Sequence, residues 1–448
     1  MKKTILLLIA LMSLSLIAQT NPVITKWLQN TTTTGYYYMS GNSTPISHGI
    51  LVNCQQVRYS TNWAYINTTG IPAYKIGPYL DGNPNQAGNQ NTIFKFPLTP
   101  TPNTGTLTAT SGGNIGVFIN GVAMFDFRDG VAWSTTTSAP CGGPGNPACT
   151  GTPAWYRDAI LAEKPGFDCS KGHPAGTNYH HHQNPSAFDM DLVVLSTVCN
   201  LYDADGLYTI NTSQHSPLIG FAYDGYPVYG AYGYANTNGT GGITRIKSGF
   251  QLRNITVRTH AADGTDVSDG PAVSATYPLG YYREDYEWIS HPSDASYLDV
   301  HNGRFCITPE YPAGTYCYFA TVDTNHNSAY PYLVGPTYYG NKTAVKVATV
   351  SETTTDYLST KEFNLNNSSI KVFPNPASSL IAIQIEGLIT EDCDIVLIDI
   401  TGKKIKSSKI NQGQTIAYFD VQDVYNGVYF VKISNKDIAK TYKVIINK

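Results

Sequence analysis

The chain has few charged residues, no basic tract in its body and no long apolar run after its first twenty residues. Only 14% of its 448 residues are charged and the net charge is −3, whereas roughly a quarter of the residues are charged in a typical soluble domain. Nucleic-acid binding needs clustered Lys and Arg, so nucleic acid is not an expected partner. A membrane-spanning helix needs about 20 apolar residues, so we predict no transmembrane segment in the mature chain.

Familiar catalytic motifs are also missing. The sequence contains no Gly-x-Ser-x-Gly, no phosphate-binding loop and no dinucleotide-binding Gly-x-Gly-x-x-Gly. Helical periodicity is scarce, and the best helix candidate is residues 154–162. Abundant Gly, Pro and Tyr instead indicate many short strands joined by turns. We therefore predict a mainly β protein with a large irregular β-rich body and a small C-terminal β-sandwich of immunoglobulin-like type.

The N-terminus is typical of a secretory signal peptide. Lys2 and Lys3 precede an apolar run from Ile5 to Leu11, and small residues follow near Ala18. A short basic head, a short apolar segment and a small-residue cleavage site predict a signal peptide over residues 1–18. The first cysteine, Cys54, lies far downstream, so the signal is not followed by a lipid-acceptor cysteine.

Eight cysteines in an exported chain predict disulfide bonds. If residues 308–315 form a symmetric turn, Cys306 falls directly opposite Cys317, within bonding range. The other two predicted pairs are Cys141–Cys149, which brackets a Gly/Pro loop, and Cys169–Cys199. The spacing of the cysteines assigns Cys54 and Cys393 to no disulfide bond.

The C-terminal segment combines several motifs in a fixed order. It contains Pro374-Asn375-Pro376, the apolar strand 381–385, Thr401-Gly402-Lys403 and Gly427-Val428-Tyr429-Phe430. This order resembles the C-terminal sorting domain of type IX secretion cargo, over residues 369–448. The resemblance implies export by the type IX secretion machinery of Bacteroidota and attachment at the outer cell surface. The Thr/Ser/Asn-rich composition of residues 346–368 indicates a linker to this domain.

The body carries a second ordered set of motifs. Gly172-His173-Pro174 is followed by Tyr179-His180-His181-His182, and then by motifs around Asp224, His301 and Glu310. The set resembles the YHYH family of exported proteins, and we assign residues 20–345 to a YHYH-type domain. His181 stands where the family name has tyrosine. The resemblance implies no established activity.

The histidine motif supports a metal-binding hypothesis on physical grounds. If residues 179–182 are extended, His180 and His182 point to one face with Cα atoms about 6.6 Å apart, and His181 points to the other. Two such imidazoles suit zinc or copper but need at least one more ligand. The candidates for that ligand are His173, His215, His301, Asp224 and Glu310.

Three functional classes remain open at this point. The leading one is a metal-binding surface protein, with or without catalysis. The second is a glycan-binding module that recognises a cell-surface polysaccharide, and the third is a passive adhesion protein whose histidines are packed and hydrogen-bonded. For Asp224-Gly225 we prefer a structural interpretation, a two-residue type I′ hairpin turn.

Overall fold

The computed structural model describes residues 21–79, 85–143, 145–191, 197–357, 370–385, 392–411, 414, 416–434 and 439–448. The chain divides into two compact units, Met1–Leu358 and Ser359–Lys448. The predicted signal peptide, 1–18, lies outside the described residues. No helix in the described part of the chain has the length and apolar character required to cross a bilayer.

The first unit consists mainly of short strands. Its two short α-helices are α1 (Pro22–Thr25) and α2 (Ala159–Glu163), and single 3-10 turns occur at Lys164–Gly166, Phe188–Met190, Thr197–Asn200 and Arg283–Asp285. Its strands are β1 (Thr34–Met39), β2 (Asn42–Leu51), β3 (Cys54–Tyr59), β4 (Trp63–Thr68), β5 (Thr92–Pro97), β6 (Asn114–Phe118), β7 (Ala123–Phe125), β8 (Arg128–Ser134), β9 (Ala139–Cys141), β10 (Tyr156–Asp158), β11 (His173–Ala175), β12 (Asn178–His181), β13 (Leu218–Ala222), β14 (Pro227–Tyr229), β15 (Tyr232–Tyr234), β16 (Ile243–Arg245), β17 (Phe250–Leu252), β18 (Tyr286–Trp288), β19 (Gly303–Cys306), β20 (Thr315–Phe319), β21 (Val345–Val347) and β22 (Thr355–Tyr357).

Two sheets organise this unit. The larger has the order β11-β12-β7-β6-β13-β14-β20-β19, and the smaller has the order β21-β5-β4-β3-β22. The larger sheet is mixed, because β12 runs parallel to β7 and β14 runs parallel to β20. Its central strand β13 is buried along its whole length, which explains why the sequence there is an uninterrupted small and apolar run.

Aromatic side chains join the two sheets. Trp27 lies 5.5 Å from Phe96 of the smaller sheet and 5.4 Å from Phe221 of the larger one, measured between ring centroids. All three rings are buried. Large rings contribute much apolar area for few fixed torsions, so this contact holds the two sheets together as one sandwich.

The domain boundary differs from the prediction. Strands β21 and β22 pair with β5 and β3 of the smaller sheet. Residues 346–357 therefore belong to the first unit rather than to a linker, and the body does not end at 345. The rest of the predicted linker, 358–368, lies outside the described residues.

Two local predictions also need correction. Of the predicted helix 154–162, Tyr156–Asp158 form strand β10 instead, and only the part from Ala159 onward is helical, in α2. The Asp224-Gly225 hairpin forms, but its loop is not a type I′ turn. Gly225 has φ +89° and donates its N–H to the carbonyl of Ala222, while Asp224 has no positive φ. A tight turn followed by a left-handed glycine is the three-residue hairpin loop.

Two of the three predicted disulfides are confirmed. Cys141–Cys149 and Cys169–Cys199 are bonded, whereas Cys306 and Cys317 are not. The loop between β19 and β20 is centred one residue earlier than predicted, so Cys306 faces Thr315. The two cysteines become diagonal neighbours, and their thiols interact through a hydrogen bond rather than a disulfide bond.

The C-terminal unit is a small β-sandwich. Its strands are β23 (Ile370–Phe373), β24 (Leu380–Ile385), β25 (Cys393–Asp399), β26 (Lys404–Ile410), β27 (Ile416–Asp420), β28 (Gly427–Ser434) and β29 (Ala439–Ile446). They form two sheets, β23-β24-β27 and β26-β25-β28-β29. Alternate residues of β28, among them Val431 and Ile433, are buried in the core between the sheets. The predicted fold class, mainly β with an immunoglobulin-like C-terminal sandwich, is confirmed.

Candidate metal centre

A short hairpin places two histidines side by side. Strands β11 and β12 pair antiparallel with His173 directly opposite His180, and side chains of directly opposed residues share a face. The two ring centroids lie 4.6 Å apart. His182 follows two residues later on the same face, with its ring 4.8 Å from that of His180. The hairpin thus gathers three imidazoles at one end of the larger sheet.

Tyr179 and His181 point to the opposite face of the sheet from His180 and His182, as strand alternation requires. The Tyr179 hydroxyl donates to the buried carboxylate of Asp168 at 3.0 and 3.1 Å. The Nε2 atom of His181 lies 2.6 Å from the hydroxyl of Tyr74, and its Nδ1 lies 2.9 Å from the carbonyl of Lys171. Burial lowers the pKa of His181 to about 3, so this ring is neutral. Tyr179 and His181 anchor the strand in the core.

A carboxylate from helix α2 completes the group. Asp158 caps the helix by accepting from the N–H groups of Ile160 and Leu161 at 2.9 and 3.2 Å. The helix ends at Glu163, whose Oε2 lies 3.1 Å from His173 Nε2 and 3.0 Å from His182 Nε2. Among the described residues, the one group of His, Cys, Asp and Glu that converges closely enough to hold a metal is Glu163, His173, His180 and His182.

The hydrogen bonds of two histidines determine which of their nitrogens are free. His180 Nδ1 lies 3.0 Å from the carbonyl of Asn178, and His182 Nδ1 contacts the carbonyl of Asp126. A carbonyl only accepts, so each Nδ1 carries the proton and, in a neutral ring, each Nε2 has a lone pair. Those two Nε2 atoms lie 3.1 Å apart. Lone pairs at this distance repel unless a proton or a cation lies between them.

The pKa shifts show that the cluster accommodates positive charge at its centre. Burial, reinforced by His182 and His173, lowers the pKa of His180 well below its usual value. Burial opposes protonation of His182 as well, but the Glu163 carboxylate outweighs it and raises that pKa. Burial alone would raise the pKa of Glu163, yet His182 and His173 hold it at about 2. Glu163 is therefore a carboxylate, ready to bind either a proton on His182 or a metal ion.

The spacing of the four side chains matches a tetrahedral site. All four ligand atoms lie within 4.8 Å of one another. Zinc bonds of about 2.0–2.1 Å in a tetrahedron separate the ligand atoms by about 3.3–3.4 Å, close to the 3.0 and 3.1 Å contacts between nitrogen and oxygen. Phe125 stacks on His180 at 3.7 Å, and Phe167 contacts His173 edge-on at 4.9 Å. These rings limit the approach of water.

The other two predicted histidines lie outside this cluster. His215 directs its Nδ1 to the carbonyl of Ser216 at 2.7 Å, and it packs among aromatic rings. His301 directs its Nδ1 to the carbonyl of Thr337 at 3.0 Å. Each has structural contacts of its own, and neither belongs to the group formed by Glu163 and the three histidines.

The two predicted carboxylates are likewise elsewhere. Asp224 is fully buried in its hairpin loop, and its Oδ2 accepts from the Tyr318 hydroxyl at 2.6 Å and the Gly340 N–H at 2.8 Å. Glu310 accepts from the hydroxyl of Tyr229 at 2.9 Å. These contacts satisfy the oxygens locally, which supports the structural interpretation of Asp224.

Sequence reasoning missed Glu163. The residue follows the predicted helix by one position, and its distance along the chain from the histidines gives no hint of contact. The available signal was weak: a carboxylate at the end of a short amphipathic segment shortly before His173. A search for carboxylates flanking the histidine motif would have included it, together with Asp168 and Asp189.

Two family profiles match the chain. The profile described as YHYH protein matches residues 93–330, and that described as secretion system C-terminal sorting domain matches residues 371–447. No curated protein matches the sequence. The sorting domain identifies the protein as type IX secretion cargo at the cell surface. Since the first profile covers more than half of the chain and contains all four clustered residues, the protein belongs to the YHYH family and carries a C-terminal secretion sorting domain.

Proposed function

We propose that this surface protein binds one transition-metal ion, zinc or copper, through Glu163, His173, His180 and His182. The observation that carries the proposal is the convergence of acceptor atoms. The Nε2 atom of His182 lies 3.1 Å from the Nε2 atom of His180 and 3.0 Å from the Oε2 atom of Glu163. A bound cation turns that repulsion into coordination.

The donor set favours zinc or copper over calcium or magnesium. Imidazole-rich sites suit zinc and copper, whereas calcium and magnesium prefer oxygen ligands. Four protein donors fill a tetrahedral shell, which is typical of structural zinc sites. Catalysis needs an open position, and Glu163 is the ligand best placed to provide one. Its side chain is 22% exposed, against 9% for His173 and 2% for His182.

The alternative of a passive adhesion protein, in which the histidines bind no metal, explains fewer features of the site. A packed histidine cluster without metal should satisfy each buried polar atom with a hydrogen bond. Among the described residues, the buried Oε2 atom of Glu163 has no hydrogen-bond partner, although it faces the Nε2 atoms of His173 and His182. The Nε2 atoms of His180 and His182, which face each other, also need a proton or a cation between them.

Elemental analysis by mass spectrometry on the full exported chain tests the proposal. We expect one equivalent of zinc or copper in the wild-type protein and none in a His180→Ala, His182→Ala double variant. His260→Ala is the matched control, because its side chain is 52% exposed and lies outside the cluster. Circular dichroism of the double variant checks that it folds. Absence of metal from the wild-type protein after dialysis against either metal, with the fold intact, would refute the proposal.

A second variant tests the carboxylate separately. Glu163→Gln keeps the size of the side chain but removes its charge, so metal affinity should fall by at least about tenfold, as removal of even an indirect ligand contact does. Competition with a chromogenic chelator measures the affinity. An unchanged affinity would show that the three histidines bind the ion without Glu163.

A further inference from the structure

A polar cleft lies on the first unit, away from the four clustered residues. Its volume is about 440 Å³, and it is lined by Trp133, Thr135, Ser138, Ser268, Asp269 and Gly270. One wall is the turn between β8 and β9, and the other is the loop around Asp269. This volume lies within the range of about 300–1,000 Å³ that is usual for small-molecule sites.

Contacts beneath the cleft fix the relative position of its two walls. The backbone N–H of Trp133 donates to the backbone carbonyl of Trp155 at 2.9 Å. The indole of Trp155 in turn donates to the carbonyl of Ser268 at 2.7 Å. A side chain at Gly270 would place its Cβ 2.9 Å from the Trp155 ring, so only glycine allows this close approach. The two walls are thus joined through Trp155.

Trp133 is available to a ligand in a way that Trp63 is not. Trp133 is half-buried and is oriented by an edge contact with Tyr277 at 5.4 Å. Trp63 also borders a cleft, but the ammonium group of Lys95 lies 4.1 Å from the centre of its ring. A cation already occupies that aromatic face. Of the two clefts, the one beside Trp133 offers the uncovered indole.

The polar groups of the cleft select the class of ligand. The Asp269 carboxylate accepts hydrogen bonds, and the hydroxyls of Thr135, Ser138 and Ser268 both donate and accept. Among the described residues, no Lys or Arg lines the cleft, so an anionic ligand such as a uronic acid or a phosphate lacks a counter-charge there. An aromatic face beside acceptor and hydroxyl groups suits the apolar face and the hydroxyls of a pyranose ring.

We propose that this cleft binds a neutral saccharide of one or two rings, which stacks on Trp133 and donates hydroxyl hydrogen bonds to Asp269. This function is additional to metal binding and does not depend on it. Since the protein is at the cell surface, the cleft is in position to meet cell-wall or environmental glycans.

Fluorine NMR of protein labelled with 5-fluorotryptophan tests the proposal. The full chain has five tryptophans, so Trp133→Phe assigns the resonance of interest by its disappearance. Titrations with cellobiose, maltose and N,N′-diacetylchitobiose should include at least one sugar that shifts the Trp133 signal saturably. The Trp63 signal is the internal control and should not move.

An Asp269→Asn variant completes the test. Asp269 is exposed at the cleft, so the fold should not change. The amide oxygen of Asn can still accept a hydrogen bond but carries no charge, so sugar binding should weaken by about tenfold. If none of the three sugars shifts Trp133, if Asp269→Asn binds as well as the wild type, or if galacturonate binds more tightly than the neutral sugars, the proposal is wrong. Metal content stays the same in every outcome, so this test and that of metal binding are separate.

Discussion

Four consecutive residues perform two tasks in this protein because strand side chains alternate. Tyr179 and His181 enter the core, where Asp168, Tyr74 and a carbonyl hold them. His180 and His182 point the other way, and each is oriented by a hydrogen bond from its second nitrogen to a backbone carbonyl. Such bonds select the tautomer of a ligand and fix the plane of its ring. The side chains that form the candidate site are therefore held in place before any ion arrives.

Buried carboxyl groups around the site make stability depend on pH. Burial raises the pKa of Asp158 to about 7, whereas an unfolded Asp has a pKa of about 3.9. The folded protein therefore holds this proton more tightly, and the free energy of unfolding should fall as pH rises from about 4 to about 7. Above pH 7 the group is ionised in both states and its contribution is constant.

We expect an Asp158→Asn variant to lack this pH dependence. Between pH 4 and pH 7, the free energy of unfolding of the metal-free wild type should change relative to the variant by up to about 4 kcal/mol. Urea unfolding at several pH values measures the difference, and other titrating groups cancel between the two proteins. Asp263→Asn, at a fully exposed site, is the control. A constant difference between wild type and Asp158→Asn across this range would contradict the shift.

At the scale of elements, the candidate site forms where a hairpin, a parallel neighbour and a short helix meet. The hairpin β11–β12 supplies the histidines, β7 pairs with β12 at Ala123 and Met124, and α2 supplies Glu163. The chain around the hairpin is closed by the Cys169–Cys199 disulfide, which spans 30 residues. The bond restricts the segment that contains His173, His180 and His182.

Removing this disulfide should weaken both the fold and the site. A Cys169→Ala, Cys199→Ala variant should lose about 3–4 kcal/mol of stability, the chain-entropy value for a loop of this length, and should bind metal less tightly. Thermal unfolding and chelator competition measure the two effects. The Cys141→Ala, Cys149→Ala variant is the matched control, because its disulfide spans eight residues and does not enclose the histidines. Equal metal affinities in the two variants would show that the Cys169–Cys199 bond does not organise the site.

At the scale of the whole molecule, each unit has a core of its own. The first unit is built around the aromatic residues between its sheets, and the second around residues such as Ile381, Val431 and Val444. The candidate metal site uses residues of the first unit alone. The sorting domain directs secretion through the type IX system. Location and chemistry therefore belong to different parts of the chain.

Deletion of residues 371–447 should separate these two properties. In a host with a type IX system, the shortened protein should no longer reach the cell surface, because the domain that the machinery recognises is gone. Its metal content should equal that of the full chain. Surface protease accessibility of intact cells measures the first property, and elemental analysis measures the second. Surface display at the wild-type level, or loss of metal, would contradict this division.

The sequence predicted those features that depend on nearby residues. The period of two in residues 179–182 put His180 and His182 on one face, and the short Gly/Pro loop indicated the Cys141–Cys149 bond. Strand and turn motifs identified the C-terminal sandwich. Features that depend on the exact length and position of the turn between two strands were predicted less accurately. A difference of one residue in the loop after β19 placed Thr315 rather than Cys317 directly opposite Cys306.

By itself, the sequence determined that the protein is mainly β, that it carries a sorting domain, and that a pair of histidines shares a face. These follow from local patterns, because strand alternation and turn chemistry act over a few residues. Only the tertiary structure decided that His173 and Glu163 join that pair, while His215, His301, Asp224 and Glu310 do not. The choice depends on how α2 and the hairpin pack against the larger sheet. That packing minimises exposed apolar surface over the whole unit, and no local pattern encodes it.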